Sequence, residues 1–222
     1  MDDMRDARRL VAEFTGTALL LATIVGSGIM GDRLFAGQYG SALLVNSLAT
    51  GAVLAGLIAA LSGWSAHFNP AVSVVEMVGT PGERSRLRWW ILAQLVGAGL
   101  GVIVANVMFG EPPVEISGRE RVGLPLLLSE AVATFGLLLV IRGCAARRPS
   151  AMPAAVGAYV AGAIWFTSST AFANPAVTVG RALTNTFTGI RPVDVPAFVA
   201  AQLVGAALAG WVTGWLAKEE AR

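Results

Sequence analysis

The segment Asn69-Pro70-Ala71-Val72-Ser73-Val74 returns in the second half of the chain as Asn174-Pro175-Ala176-Val177-Thr178-Val179. Asparagine is a favourable N-cap and proline suits the first position of a helix, so each copy predicts the start of a short helix. A single Asn-Pro-Ala can simply cap a helix of a soluble protein. Two copies in corresponding places instead indicate a pair of related structural elements.

The sequence around these segments repeats in the same order. Ala93-Gln94-Leu95-Val96-Gly97-Ala98 recurs intact at 201–206, and the segment around Glu13 has a weaker echo around Glu130. Three repeated segments that occur in the same order in both halves favour a duplication of the sequence over coincidence. We therefore interpret residues 1–222 as a single domain with repeats at about 9–110 and 123–217.

The composition places the chain in a lipid bilayer, because 55% of the residues are hydrophobic and only 14% are charged. A helix that crosses the hydrocarbon core needs about 20 mostly apolar residues. Two shorter apolar stretches, 67–79 and 173–187, each contain one Asn-Pro-Ala and predict re-entrant half-helices. Six stretches are long enough to cross, at about 10–30, 40–62, 87–109, 123–143, 151–172 and 196–217.

The predicted fold class is thus an all-α membrane protein with six transmembrane helices and two re-entrant half-helices. Because each half contains three crossings, the second copy enters the membrane in the opposite orientation, which makes an inverted repeat. The two half-helices then approach the midplane from opposite sides. Each helix N-terminus carries about half a positive charge, so the facing pair predicts a barrier to cations, including protons.

Basic residues in the connections predict the orientation of the chain. We expect both termini in the cytoplasm and a multi-pass protein of the cell inner membrane. With that orientation, eleven basic residues face the cytoplasm and five face outward. The first group is Arg5, Arg8, Arg9, Arg84, Arg86, Arg88, Arg142, Arg147, Arg148, Lys218 and Arg222, and the second is Arg33, Arg119, Arg121, Arg181 and Arg191.

Glu13 and Glu130 each fall inside a predicted crossing. A carboxylate there is costly unless it finds donors in the protein interior, and a re-entrant loop has backbone N–H groups that need partners. We predict that Glu13 and Glu130, with Gln94 and Gln202, support the pore loops. An alternative stays open, in which the glutamates relay protons in a proton-coupled secondary transporter.

The chain has no residues that suggest catalysis. His67 is the only histidine and Cys144 the only cysteine, so neither a metal-ligand cluster nor an activated nucleophile can be assembled. The basic residues are scattered and do not form a stripe that would bind nucleic acid. We expect a protein that is not an enzyme and needs no cofactor or metal.

The segment Ala66-His67-Phe68-Asn69-Pro70-Ala71-Val72, the second Asn174-Pro175-Ala176, and the paired glutamates and glutamines resemble the aquaporin and glycerol-facilitator, or major intrinsic protein, family. This resemblance implies a passive channel for small neutral solutes and water, with Asn69 and Asn174 as donors at the pore centre. It also implies a homotetramer with one pore in each subunit. The run 172–184, followed by Gly189-Ile190-Arg191-Pro192, resembles the bacterial aquaglyceroporin branch associated with arsenic resistance.

One position departs from the family pattern. Most members carry a selectivity-filter arginine three residues after the second pore asparagine, and here that residue is Val177. The other filter positions, transferred by spacing, are Gly162, Ala171 and either Ala49 or Thr50. Because all of these are small, we expect a wider and less positive filter that passes glycerol, urea or metalloid hydroxides such as arsenous acid. A water-selective channel is the alternative.

Three further residues are candidates for the pore mouth. Arg181 lies four residues after Val177 on the same helix face, so it either snorkels back to the mouth or holds the outer loop and the C-terminal end of its half-helix. Phe172 either narrows the mouth or packs against neighbouring helices. His67 lines the opposite vestibule or bonds a loop carbonyl.

Overall fold

The computed structural model describes residues 2–78, 80 and 82–219. Within them the chain forms α-helices and no strand, as expected in lipid, where a backbone must satisfy its own hydrogen bonds. Arg222, counted above among the cytoplasmic charges, lies outside the described residues. The helices are α1 (Asp2–Leu34), α2 (Tyr39–Leu61), α3 (Pro70–Val78), α4 (Leu87–Met108), α5 (Leu124–Arg147), α6 (Met152–Phe166), α7 (Pro175–Arg181) and α8 (Val195–Glu219).

Five segments of the described chain are long and apolar enough to cross a membrane. Each of these five segments corresponds to one of the six predicted crossings. The predicted crossing without a match is the fifth, which was expected at 151–172. The α6 helix of that crossing ends at Phe166. Thr167 is extended, and its hydroxyl bonds the Ala163 carbonyl at 2.7 Å. Hydropathy continues past this point, but the backbone turns back toward α7, so the predicted helix was too long.

The two halves use the same packing scheme. In the first half α1 packs against α2 and α4, and in the second α5 packs against α6 and α8. The α2 and α6 helices contact each other and join the halves, while α3 and α7 lie between them and touch. This arrangement is the one expected of an inverted repeat, and it brings the two Asn-Pro-Ala segments together.

Close helix contacts occur at glycines that correspond in the two repeats. A Cβ atom on Gly97 of α4 would lie 2.4 Å from the Phe14 carbonyl oxygen of α1. A Cβ on Gly205 of α8 would lie 2.2 Å from the Ala131 carbonyl oxygen of α5. Membrane helices associate through close packing and not through the hydrophobic effect, so these glycines set the distance between the helices that carry the pore loops.

Candidate functional site

The N-terminal ends of α3 and α7 meet through a reciprocal pair of hydrogen bonds. Asn69 Nδ2 donates to the Ala173 carbonyl at 2.8 Å, and Asn174 Nδ2 donates to the Phe68 carbonyl at 2.7 Å. Each accepting carbonyl belongs to the residue directly before the other asparagine. The two half-helices therefore face each other, and each asparagine helps to hold the opposite loop.

The same asparagines cap their own helices. Asn69 Oδ1 accepts from the Ala71 N–H at 2.9 Å, and Asn174 Oδ1 accepts from the N–H groups of Ala176 at 2.9 Å and Val177 at 3.3 Å. A side-chain amide has two N–H donors, of which the opposite loop takes one. Within the described residues, the second N–H donor of each asparagine makes no hydrogen bond.

The loops that lead into the half-helices have a matched backbone distortion. Phe68 and Ala173 adopt φ values of 49° and 48°, and Thr170 and Ala171 are also left-handed at 64° and 44°. Residues other than glycine lose about 1 kcal/mol or more in this region. Phe68 and Ala173 are also the residues whose carbonyls bind the asparagines, so the reciprocal bonds stabilise the conformation.

Glu13 is buried and holds the first loop. Its Oε1 accepts from Ser65 Oγ at 2.5 Å and the His67 N–H at 2.8 Å. Its Oε2 accepts from the Phe68 N–H at 2.7 Å and Gln94 Nε2 at 2.8 Å. The carboxylate thus satisfies two backbone donors of a loop that has no strand or helix to pair with.

Glu130 does the same in the second loop. Its Oε1 accepts from the Phe172 N–H at 2.9 Å, and its Oε2 accepts from the Ala173 N–H at 2.9 Å and Gln202 Nε2 at 2.7 Å. Gln202 donates as well to the Thr178 hydroxyl of α7 at 2.8 Å. The structure therefore places each predicted scaffolding glutamate and glutamine against the pore loop of its own half.

A cavity of about 500 Å³ runs past the paired asparagines and has His67 near one end and Arg181 near the other. We refer to these as the His67 end and the Arg181 end. Of the residues transferred by spacing, Thr50, Ala171 and Val177 line it, and so does Phe172.

Two transferred filter residues do not line the cavity. Gly162 is exposed on the outside of α6, and the adjacent Ala163 faces the cavity in its place. In α2 the lining residue is Thr50, not Ala49. Successive residues of a helix point about 100° apart, so an error of one position in the transferred spacing is enough to turn a side chain away from the cavity.

His67 lines its end of the cavity, and its Nδ1 lies 3.0 Å from Ser73 Oγ. Arg9 and Glu83, whose side chains are joined at 3.2 Å, line the same end. No group of three or more histidine, cysteine, aspartate or glutamate residues that could hold a metal ion occurs in the described part of the chain.

Arg181 combines the two alternatives considered for it. It is 6% exposed and lines the cavity, while its Nε donates to the Thr188 carbonyl of the loop that follows α7. The guanidinium carbon lies 3.4 Å from the centroid of the Phe172 ring. The side chain therefore fastens the loop and also contributes to the cavity wall.

Two arginines of the loop between α4 and α5 support the same region, and sequence reasoning counted them only as topology signals. Arg119 donates from Nη1 to the Phe187 carbonyl. Arg121 donates from Nε to the Gly189 carbonyl at 2.9 Å, and its guanidinium lies 4.7 Å from the Phe172 ring centroid. Burial lowers the pKa of Arg121 to about 10, so it remains charged at neutral pH.

Comparison with known proteins agrees with this geometry. Residues 1–170 match the family described as Major intrinsic protein. The chain is 46% identical over 217 residues to "Aquaglyceroporin AqpS" of Rhizobium meliloti, covering 97% of this chain and 93% of that protein. It is 31% identical to "Probable aquaporin AqpM" of Archaeoglobus fulgidus, covering 88% and 82%.

The structure also superimposes on the crystal structure of the aquaglyceroporin from Plasmodium falciparum, with a TM-score of 0.68, 19% identity, and coverage of 93% and 94%. These findings confirm the all-α membrane fold, the family resemblance and the conclusion that the protein is not an enzyme. It is a membrane channel for water and small solutes. The chain belongs to the major intrinsic protein family.

Proposed function

We propose that this channel passively conducts neutral solutes larger than water, such as glycerol, urea and arsenous acid, together with water. The observation that carries the proposal is the presence of Val177 in the cavity wall at the position of the usual filter arginine. Ala171, Thr50 and Ala163 line the cavity as well, and none of them has a bulky side chain. The name of the Rhizobium meliloti relative, an aquaglyceroporin, supports the same substrate class.

Selectivity for neutral solutes follows from the loop geometry. The two half-helix N-termini direct their partial positive charges toward the cavity centre, and each asparagine retains one N–H donor. A neutral solute with oxygen acceptors exchanges hydration water for these donors, whereas a cation meets a repulsive potential. Glycerol and arsenous acid both carry three hydroxyl groups and suit such donors.

Stopped-flow light scattering on reconstituted vesicles tests the proposal. Water, glycerol, urea and arsenous acid fluxes are compared with those of protein-free vesicles of the same lipid. The proposal requires glycerol and at least one other large solute to cross faster with protein than without. Rapid water flux with no acceleration of any larger solute would support the water-selective alternative instead.

The proton-coupled alternative is less compatible with the contacts of the buried glutamates. Glu13 accepts four hydrogen bonds and Glu130 accepts three. Protonation would replace an acceptor by a donor in each cluster and leave a loop N–H without a partner. Glycerol flux that remains the same with and without an imposed pH gradient, and that does not saturate, would exclude coupling.

We further propose that the channel is a homotetramer with one conduit in each subunit, as the family resemblance implies. Many large apolar side chains are exposed on the single chain, among them Leu128 and Trp211. Neighbouring subunits and lipid can cover these surfaces. The mass of the detergent-solubilised complex, measured by native mass spectrometry, distinguishes a tetramer from a monomer.

A further inference from the structure

The guanidinium of Arg181 has donors to spare. Its Nε bonds Thr188, but its two terminal nitrogens, Nη1 and Nη2, make no hydrogen bond with any residue in the described ranges. A guanidinium has five N–H donors, so four of them remain unused in a side chain that is almost completely buried. Since Arg181 lines the cavity, the cavity is where a partner for these donors can bind.

Helix geometry brings this group close to position 177. Val177 and Arg181 are four residues apart on α7 and both line the cavity. Side chains on a helix lean back toward its N-terminus, and the Arg181 guanidinium lies over the ring of Phe172, two residues before the N-cap of α7, so the side chain extends toward the turn that contains Val177. A valine is short enough to leave this space open. A larger side chain at 177 would fill it.

The guanidinium is held in a defined orientation. It stacks 3.4 Å from the Phe172 ring centroid, and that ring packs edge-on against Phe198 at 5.2 Å between centroids. Together with the bond to Thr188, the stack fixes the plane of the group. A planar fork with adjacent free N–H groups is suited to bind the oxygens of one acceptor group bidentately.

Charges near the Arg181 end are not neutralised by a carboxylate of the wall. Arg121 lies over the same Phe172 ring. The carboxylates that line the cavity within the described residues, Glu76 and Glu83, come from α3 and the segment after it. Glu130, which is bonded by three donors, sets one negative charge against the three arginines Arg119, Arg121 and Arg181. An oxygen acceptor near Arg181 therefore meets an excess of positive potential.

We propose that Arg181 is the specificity-determining cation of this channel, which binds the oxygen acceptor of a passing solute and repels cations from a position one helical turn beyond Val177. This inference deepens the proposed function and rests on it. It replaces the expectation that the filter is less positive, because the conduit keeps a guanidinium while position 177 stays small. Width and positive charge are then provided by different residues.

The test uses nitrate, a small planar oxyanion that stays charged at neutral pH, as a probe of the donor fork. Glycerol and water fluxes are measured in vesicles with external nitrate or with chloride, a spherical anion that has no pair of oxygens to bridge two N–H groups, at equal ionic strength. Proton and potassium leak are followed in the same vesicles. The variants are Arg181→Met, which removes charge and donors, and Arg181→Lys, which keeps the charge.

The matched control is Arg33→Met. Arg33 is an exposed arginine at the end of α1 that pairs with Glu111 and does not line the cavity. The Arg33→Met substitution removes one positive charge away from the proposed site, so this variant should behave like the native protein in every assay.

In the native channel we expect nitrate to slow glycerol flux at least about twofold, because a bidentate anion competes for the fork. Arg181→Met should lose this inhibition and leak cations at least about tenfold faster, since one fixed positive charge is gone from the conduit. Arg181→Lys should keep cation exclusion and show weaker inhibition by nitrate, because a lysine has no planar fork.

Native flux that nitrate does not slow would overturn the inference, and so would an Arg181→Met channel that passes water but retains native nitrate inhibition and cation leak. If Arg181→Met does not fold, full nitrate inhibition of Arg181→Lys would count against the fork. Absence of glycerol flux in the native channel would refute the proposed function alone, because nitrate inhibition of water flux would still report on Arg181.

Discussion

At the scale of single residues, the proposed filter of this channel depends on a pair of positions and not on one. Val177 stands where most family members carry arginine, and Arg181 reaches the cavity from the next turn. In the proposed filter, position 177 determines how much space is available for a solute. In the same proposal, position 181 determines which charge and which hydrogen-bond donors the solute meets.

Val177→Arg tests the first part of this division. The new side chain would narrow the cavity and add a like charge four residues from Arg181, a spacing that is unfavourable on a helix. We expect glycerol flux to fall at least about tenfold while water flux stays within about twofold, as for a polar constriction that still admits the smaller solute. Stopped-flow light scattering at matched protein content measures both.

Val177→Leu is the matched control, because it adds volume without charge. A leucine should reduce glycerol flux less than arginine does. Equal glycerol flux in the native protein and Val177→Arg would mean that position 177 is not part of the constriction.

At the residue level, a contact could be anticipated from sequence where one residue type had one physical solution. Glu13 and Glu130 needed donors inside the membrane, and the loops needed acceptors, so their pairing could be anticipated. The orientation of Gly162 could not be anticipated, because it depends on the register of α6 to within a single residue. The free donors of Arg181 could not either, since they depend on how the loop after α7 folds back.

At the scale of elements, hydropathy located the half-helices but overestimated their lengths. They were predicted at 67–79 and 173–187 and are Pro70–Val78 and Pro175–Arg181. The residues just before each asparagine are apolar, yet they form non-helical loops whose N–H groups bind Glu13 and Glu130. Because the N–H groups of these loops donate to a buried carboxylate, the loops do not need helical hydrogen bonds. A hydropathy profile contains no information about this carboxylate partner.

Glu130→Gln should weaken the second loop. The glutamine would direct an NH₂ group at the N–H of Phe172 or Ala173, so a buried donor would face another donor. Leaving a buried polar group unsatisfied costs about 1–3 kcal/mol, and we expect a lower thermal unfolding temperature in detergent together with reduced glycerol flux.

The control for this substitution is Glu115→Gln, a change of the same chemistry on the loop between α4 and α5, where Glu115 is exposed and accepts a bond from Asn185. It should leave both measurements close to native values. Unchanged unfolding of Glu130→Gln would show that the carboxylate is not required to hold the loop.

Gly97→Ala should separate α1 from α4. The added Cβ would lie 2.4 Å from the Phe14 carbonyl oxygen, which forces a backbone to move, and overpacking of this kind costs about 1–3 kcal/mol. Gly99→Ala on the same helix is the control, because its Cβ would meet only Leu183 at 3.9 Å. We expect a lower unfolding temperature for the first variant alone, and equal unfolding of the two would contradict a packing role for Gly97.

At the scale of the whole molecule, the inverted repeat makes each half complete the other. Asn69 is held by the second loop and Asn174 by the first, while α2 and α6 form the contact between the halves. The repeat in the sequence was sufficient to predict this relation. It did not predict the loop arginines Arg119 and Arg121, which have no counterpart in the first loop and depend on a connection that is not repeated.

The orientation of the whole chain in the membrane is a prediction from its sequence. An even number of crossings puts both termini on one side, and the count of basic residues, eleven against five, predicts that this side is the cytoplasm. A fluorescent protein fused after Arg222 should therefore be bright in cells, and a periplasmic phosphatase fused there should be inactive. Insertion of the same phosphatase after Glu115, on the loop between α4 and α5, should give an active enzyme.

The Arg5, Arg8 and Arg9 cluster supplies the internal control for this experiment. Replacing all three by glutamine removes basic residues from the N-terminal end of α1, the first helix, which usually dominates orientation, and should raise the fraction of phosphatase activity at the C-terminal fusion. An active C-terminal phosphatase in the native sequence would invert the assignment. The Arg181 end would then face the cytoplasm. A solute that enters the cell would meet the guanidinium as it leaves the channel and not as it enters the channel.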